Sequence, residues 1–279
     1  MWYNNHGEVC FVVESCIVMH IFGGFGMSEK INVRGVYFDN VNMDEAMEKV
    51  ASMVASEGLS YMFTPNSEIV QNCIENRELY EVINSASLII PDGIGVVYAS
   101  KILKTPLKAK VPGCEVAEKL MEYAAKTGDG VFFFGGGKKT EETEAVSTVA
   151  AQKMCEKYEG LNIAGTRDGY FTEADVPSII EEINASGAKI LFVCLGAPKQ
   201  EKWIYDNRDK LQVNFAAGLG GTLDVFAGTA KRAPKFFLKT NLEWLYRLLC
   251  MPSRIGRMMK LPKFLFGTMI HKNKGFENK

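Results

Sequence analysis

From Met27 to about residue 230 the chain alternates short apolar runs with amphipathic stretches of helical period, and this alternation most limits what it can fold into. The runs "LSYMFTPNS", "SLIIPD", "GVFFFGGG", "LNIAGTRDGYF", "AKILFVCLG" and "VNFAAGLGG" close on Gly, Pro, Asn or Asp, as strands do at a turn. Between them lie helical stretches. "DEAMEKVASMVASE" places Ala46, Val50, Met53 and Val54 on one face. "EIVQNCIENRELYEVINSA" and "KKTEETEAVSTVAAQKMCEKY" read as helical throughout, and Thr172 is placed to cap the helix that follows it. Strands that alternate with helices predict an α/β fold with a mostly parallel sheet and helices on both faces.

Three segments follow from this pattern. Residues 1–26, "MWYNNHGEVCFVVESCIVMHIFGGFG", are expected to lie outside the fold as an N-terminal extension, with Met27 as the start of the folded part. The stretch lacks a basic leader and is interrupted by Glu14 and His20, so neither a signal peptide nor a membrane span fits it. Residues 27–230 are expected to form the α/β core. Residues 231–279 are an appendage. Charge separates the last two sharply: the appendage carries 12 Lys/Arg against Glu243 and Glu277, and the rest of the chain has 31 acids against 20 basic residues. A basic tail on an acidic body points to an anionic partner, and nucleic acid or an anionic membrane surface would both fit. Seven scattered cysteines with no CxxC pair argue for reduced, mostly buried thiols, and three scattered histidines argue against a His-based centre.

In open α/β sheets, ligands bind at the carboxyl ends of the strands. Those ends here are "TPNS" at 64–67, "PDG" at 91–93, "GGG" at 135–137, "GAPKQE" at 196–201 and "GLGGTLD" at 218–224. Their glycines let backbone N–H groups approach a diphosphate, Lys199 adds a point charge, and Gln200 and Glu201 can bond hydroxyls or a base edge. Asp92, set between an apolar strand and a helix start, reads equally as a helix cap or as a base. Asp224 reads as a turn acid or a ligand contact. The glycine loops match neither the dinucleotide fingerprint nor the P-loop, so an oxidoreductase or P-loop reading has little support, and with no DxD pair evident a divalent metal is not implied.

Taken in order, "TPNSE", "PDGIGVV", "VPG" at 111–113, "GAPKQEKWI", "GGTLDVFAG", "RAP" at 232–234 and "LEWLYRL" at 242–248 resemble the WecG/TagA/CpsF family of bacterial glycosyltransferases over roughly residues 30–258. The resemblance implies a Rossmann-like core whose C-terminal appendage completes the site at the membrane. It implies inverting transfer of N-acetylmannosamine, or a related hexosamine, from UDP to a polyprenyl-diphosphate-linked N-acetylglucosamine, in wall teichoic acid or surface polysaccharide synthesis. It implies no cofactor and no required metal. The partners would be the UDP-sugar donor, the lipid-linked acceptor and the inner face of the cell membrane, where a cytoplasmic protein would bind peripherally; a homo-oligomer is compatible, and nucleic acid is not a partner.

Carried over position by position, the resemblance makes Asp92 the base and Thr64 an active-site hydroxyl. Gln200 and Asp224 become substrate contacts, and Arg247, Arg254 and Arg257 reach the diphosphate. Asn66, Lys110, Gly113, Gly136, Gly137, Gly196, Lys199, Glu201 and Gly220 complete the expected binding set. Members of that family often carry Arg where Lys110 stands and Asp where Glu115 stands, and Lys for Arg keeps the charge but loses the bidentate fork. Basic and apolar residues mix in the tail, among them Lys260, Lys263, Phe264, Leu265 and Phe266, as an interfacial segment requires. The contrasting reading is a catalytically silent α/β binding or scaffold protein with a basic tail. The presence of Thr64, Asp92, Gln200 and the three arginines weighs against it.

Overall fold

The computed structural model of the 279-residue chain describes residues 29–230, 233–234, 236–237, 240, 243–250, 256 and 260–271, with two short antiparallel strands, β1 (Trp2–Tyr3) and β2 (Val9–Cys10). Apart from those strands, the expected N-terminal extension lies outside the described residues.

A hairpin comes first, β3 (Lys30–Val33) against β4 (Val36–Asp39). Its turn residues Arg34 and Gly35 have φ of 57° and 93°, the positive pair that a tight two-residue hairpin turn needs. Helix α1 (Met43–Ala55) starts at a capping box: Asn42 Oδ1 accepts from Glu45 N (3.0 Å), and Glu45 Oε2 accepts from Asn42 N (2.9 Å). After β5 (Ser60–Phe63), the stretch expected as one helix is two, α2 (Ser67–Glu75) and α3 (Arg77–Asn84). Asn76 divides them, because its side chain takes the Leu79 N–H (3.0 Å) and starts a second helix.

The chain continues through β6 (Leu88–Ile89), α4 (Ile94–Ile102), α5 (Gly113–Thr127), β7 (Val131–Gly135) and α6 (Val146–Lys157). Helix α6 begins later than its periodicity suggests. The Thr140 and Thr143 hydroxyls bond each other (2.8 Å), and Thr140 Oγ1 accepts from Thr143 N (3.0 Å), which holds 138–145 as a loop. Then follow β8 (Ile163–Arg167), α7 (Val176–Ala185), β9 (Ile190–Cys194), α8 (Lys199–Asn207), β10 (Phe215–Gly218) and α9 (Thr222–Ala227). Thr172 caps the short 3-10 turn leading into α7, in a reciprocal box with Asp175. Helices α10 (Glu243–Cys250) and α11 (Lys260–His271) come last.

Strands β6-β5-β10-β9-β7-β8 form one sheet in that order, and every pairing is parallel. Successive side chains point to opposite faces, so each strand feeds two apolar layers. Phe63, Phe132, Phe134, Leu191, Val193 and Ala216 face one layer, with α2, α3, α7, α8 and the β3–β4 hairpin. Met62, Val131, Phe133, Phe192, Phe215 and Ala217 face the other, with α1, α5, α6 and α9. Strands buried on both faces read as continuous apolar runs rather than as alternation.

The C-terminal helix α11 is part of the first layer. Phe264 is fully buried there, and α11 lies against α2 and α4. A Cβ on Gly95 of α4 would stand 2.5 Å from Leu261 Cδ1 and 3.0 Å from Ser67 Oγ, so the glycine opens the notch into which Leu261 fits. Arg34 Nη1 donates to the Gly267 carbonyl (2.5 Å), Lys260 Nζ to Asn72 Oδ1 (2.7 Å) and Lys263 Nζ to Glu75 Oε1 (2.8 Å). Both lysines expected on a basic face therefore turn toward α2.

Candidate active site

Because β6, β5 and β10 are neighbours, the loops that leave their carboxyl ends meet at one corner of the sheet. Thr64 follows β5, Asp92 follows β6, and Gly220 follows β10. Asp92 does not cap the helix next to it. The cap of α4 is Gly93, with no side-chain bond, and Asp92 Oδ1 instead accepts the Gly113 N–H (3.3 Å) at the start of α5. The residue before α5, Pro112, has no side-chain acceptor, so the carboxylate serves one of the orphan amides of a helix 21 residues downstream. The same loop is tied on by Val111 N donating to the Pro91 carbonyl (2.9 Å), which sets half-buried Lys110 beside the Asp92 turn.

Gly113 is also what lets Thr64 come close. A Cβ there would lie 3.0 Å from Thr64 Cγ2 and 3.3 Å from its Oγ1. Thr64 Oγ1 donates to the Gly218 carbonyl (3.4 Å) at the end of β10. Against Gly218 lies Gln200, whose Nε2 would be 3.1 Å from a Cβ on that glycine. Gln200 Oε1 accepts the Gly220 N–H (2.9 Å), and its Nε2 donates to Glu201 Oε1 (2.9 Å). Asp92, Thr64, Gln200, Gly113 and Gly220 thus form a connected set across the ends of four neighbouring strands, β6, β5, β10 and β9.

The remaining expected residues are placed differently. Asn66 sits at the same corner, but its Oδ1 caps α2 through Glu68 N (2.9 Å) and Ile69 N (3.2 Å). Gly196 and Gly220, with φ of 77° and 56°, border open space, where a Cβ would meet nothing within 4 Å. Gly136 and Gly137 hold a structural turn: Gly136 N donates to Cys194 O (3.2 Å), and Gly137 O accepts from Val146 N (2.9 Å). Lys199 is exposed, with its ammonium 4.0 Å from the Phe171 ring centroid, toward the β8 side of the sheet. Asp224 is half-buried in the first turn of α9, and its Oδ1 accepts from Thr229 Oγ1 (3.5 Å). Glu201 is only 1 % exposed and lies inside, beneath Gln200. Arg247 falls in α10 with its side chain outside the described residues, and Arg254 and Arg257 lie outside them altogether.

Burial governs the ionisable groups that surround this corner. It pushes the Glu201 carboxyl above the usual carboxylate range, against a weaker opposing pull from the Gln200 amide. It also pushes the Cys73 and Cys194 thiols up to about 12, so both are inert at neutral pH. Among the described residues, no three His, Cys, Asp or Glu side chains converge as metal ligands would. No helix of the described residues is long and apolar enough to cross a membrane.

One contributor escaped the sequence reading. Asp39, 3 % exposed at the end of β4, accepts the Ile89 N–H through Oδ2 (3.0 Å) and so fixes the short strand that delivers Asp92. The signal was an acid closing the apolar run "VYFD".

Comparison with known proteins identifies the family. The family model described as "Glycosyl transferase WecG/TagA/CpsF family" matches residues 31–277. An N-acetylglucosaminyldiphosphoundecaprenol N-acetyl-beta-D-mannosaminyltransferase of Staphylococcus aureus (strain MRSA252) is 35% identical over 239 residues, 85% of this chain and 91% of that protein. A protein of the same name from Bacillus spizizenii (strain W23) is 37% identical over 212 residues, 76% of this chain and 79% of that protein. The match spans both the sheet and the C-terminal helix packed on it, and the chain belongs to the WecG/TagA/CpsF family of glycosyltransferases.

Proposed function

We propose that this chain transfers N-acetylmannosamine, or a closely related hexosamine, from UDP to an N-acetylglucosamine carried on a polyprenyl diphosphate, with inversion, in the synthesis of a surface polymer. The similarity to enzymes of that name supports the reaction. The observation that supports the chemistry is the joining of Asp92 after β6, Thr64 after β5 and Gln200 after β9, linked through Gly218 and Gly220 at the end of β10. An inverting transfer needs a base beside the acceptor hydroxyl, on the face opposite the leaving group. Asp92 takes that role in this reading. Its bond from Gly113 holds one carboxylate oxygen in place.

As the sugar departs, negative charge grows on the UDP diphosphate and must meet positive partners. The open glycine turns at Gly196 and Gly220, with Lys110 and the tail arginines Arg247, Arg254 and Arg257, are the proposed partners, and no metal is required. Asp224, at the start of α9, contacts the donor in this reading. In this reading the protein binds an anionic membrane surface, where the lipid-linked acceptor resides, and the basic segment 231–279 with the exposed Phe266, Met269 and Ile270 of α11 supports it. The test is acceptor-dependent UDP release across a panel of UDP-hexosamines, with a short-chain diphosphate-linked N-acetylglucosamine as acceptor. Turnover with one donor supports the reading, and no turnover with any donor refutes it.

A further inference from the structure

The sequence suggests that Gln200 and Glu201 both reach into the cleft to bond hydroxyls or a base edge. In the structure both are buried, 3 % and 1 % exposed, on the face of α8 that also carries Trp203, Ile204 and Asn207. A side-chain amide has one acceptor end and one donor end. The Gly220 N–H is a donor, so Gln200 must turn its oxygen toward it, at 2.9 Å. That leaves the amide nitrogen pointing inward, where the single acceptor it meets among the described residues is Glu201 Oε1, at 2.9 Å. The other carboxyl oxygen, Glu201 Oε2, is buried with no hydrogen-bond partner among the described residues. An acid placed in such surroundings needs a reason, because an apolar residue would fill the space without the cost of burying a polar group.

We infer that Glu201 is a positioning residue: it fixes which way the Gln200 amide faces, and through that amide it sets the Gly220 turn beside the donor cleft. Gly220 borders open space and leads directly into α9, which carries Asp224, so its placement shapes the cleft wall. Without an acceptor at 201 the amide is free to flip. A flipped amide presents N–H to N–H at Gly220, and the turn is released. The inference rests on the transferase reading for its catalytic consequence, while the hydrogen-bond chain can be tested without it.

The experiment compares Glu201→Leu, Glu201→Gln, Gln200→Ala and the double variant Gln200→Ala/Glu201→Leu with the wild-type full chain. Amide hydrogen exchange at Gly220 and the KM for the UDP-sugar are both read. Glu201→Leu and Gln200→Ala should each speed Gly220 exchange about tenfold, the signature of losing one hydrogen bond of ordinary net strength. The double variant should add nothing, Glu201→Gln should stay near wild type, and KM should follow the same pattern while amides in β9 stay protected. Wild-type exchange at Gly220 in Glu201→Leu, or additive effects in the double variant, would overturn the inference. If Glu201→Leu does not fold, the wild-type Gln200 side-chain amide decides, assigned as the signal lost in Gln200→Ala: slow exchange supports the bond, and fast exchange like that of a surface amide overturns it. Absence of turnover in the wild type would count against the transferase reading alone, because the exchange result still decides the role of Glu201.

Discussion

The Gly113 amide donates to the Asp92 carboxylate across 3.3 Å, and the same glycine leaves Thr64 just enough room on its other side. One backbone position therefore spaces two side chains from different strands. Gly113→Ala would put a Cβ 3.0 Å from Thr64 Cγ2, tighter than methyl groups accept without yielding. The cost to stability is modest, on the order of 1 kcal/mol. The effect on turnover is larger, because a shift of a few tenths of an ångström moves both Thr64 and the Asp92 turn; kcat/KM should fall at least tenfold, roughly, while the melting transition moves little. Steady-state kinetics and thermal melting on one preparation check this.

The proposed binding to an anionic membrane surface is testable at helix α11. Its buried side holds Phe264 and Leu261, and Lys260 and Lys263 bond to α2. What it presents outward is apolar: Phe266, Met269 and Ile270 are 66%, 61% and 56% exposed. Phe266→Ser with Met269→Ser should lower co-sedimentation with anionic liposomes by about tenfold or more, given about 1.5–3 kcal/mol for each large side chain buried in the interface. Lys263→Glu should have a smaller effect on binding and should loosen α11 instead, because it sets two carboxylates against each other at Glu75. Liposome pelleting of the variants side by side measures the difference.

Glu201 gives a pH signature. Burial raises its folded-state pKa, so the folded protein keeps a proton that the unfolded chain releases near pH ~4.3. Its contribution to stability is complete below that pH and is lost as pH rises toward the folded-state value. Glu201→Gln removes the titration. The stability of the variant relative to wild type should therefore move in the variant's favour as pH rises from about 4 to about 8. Urea midpoints of both proteins at the two pH values test it, and parallel curves would show that Glu201 does not titrate with folding.

The alternation of apolar runs and amphipathic stretches was enough to read the parallel sheet, the two covering layers and the loops that carry the site. Strand order was not legible, because nothing local says that β10 inserts between β5 and β9 or that Thr64 therefore faces Gly218. The partner of Asp92 was hidden for the same reason: the side-chain acceptor that α5 lacks at Pro112 comes from another loop. Glu201 could have been seen. Counting along α8 puts positions 200, 201, 203, 204 and 207 on one face, and Trp203 and Ile204 mark that face as buried. The break at Asn76 and the late start of α6 were local side-chain bonds overriding helical period.

The central claim is that Asp92 acts as the base of a glycosyl transfer, and Asp92→Asn tests it most directly. Asparagine keeps an oxygen to accept the Gly113 N–H, so the turn and the start of α5 remain as they are while the base is lost. With a UDP-hexosamine and a short-chain diphosphate-linked N-acetylglucosamine, acceptor-dependent UDP release should fall by roughly 10²–10⁴ in Asp92→Asn, with an unchanged melting transition. Turnover within a few-fold of wild type would contradict the account and leave Asp92 as the acceptor that holds α5 in place.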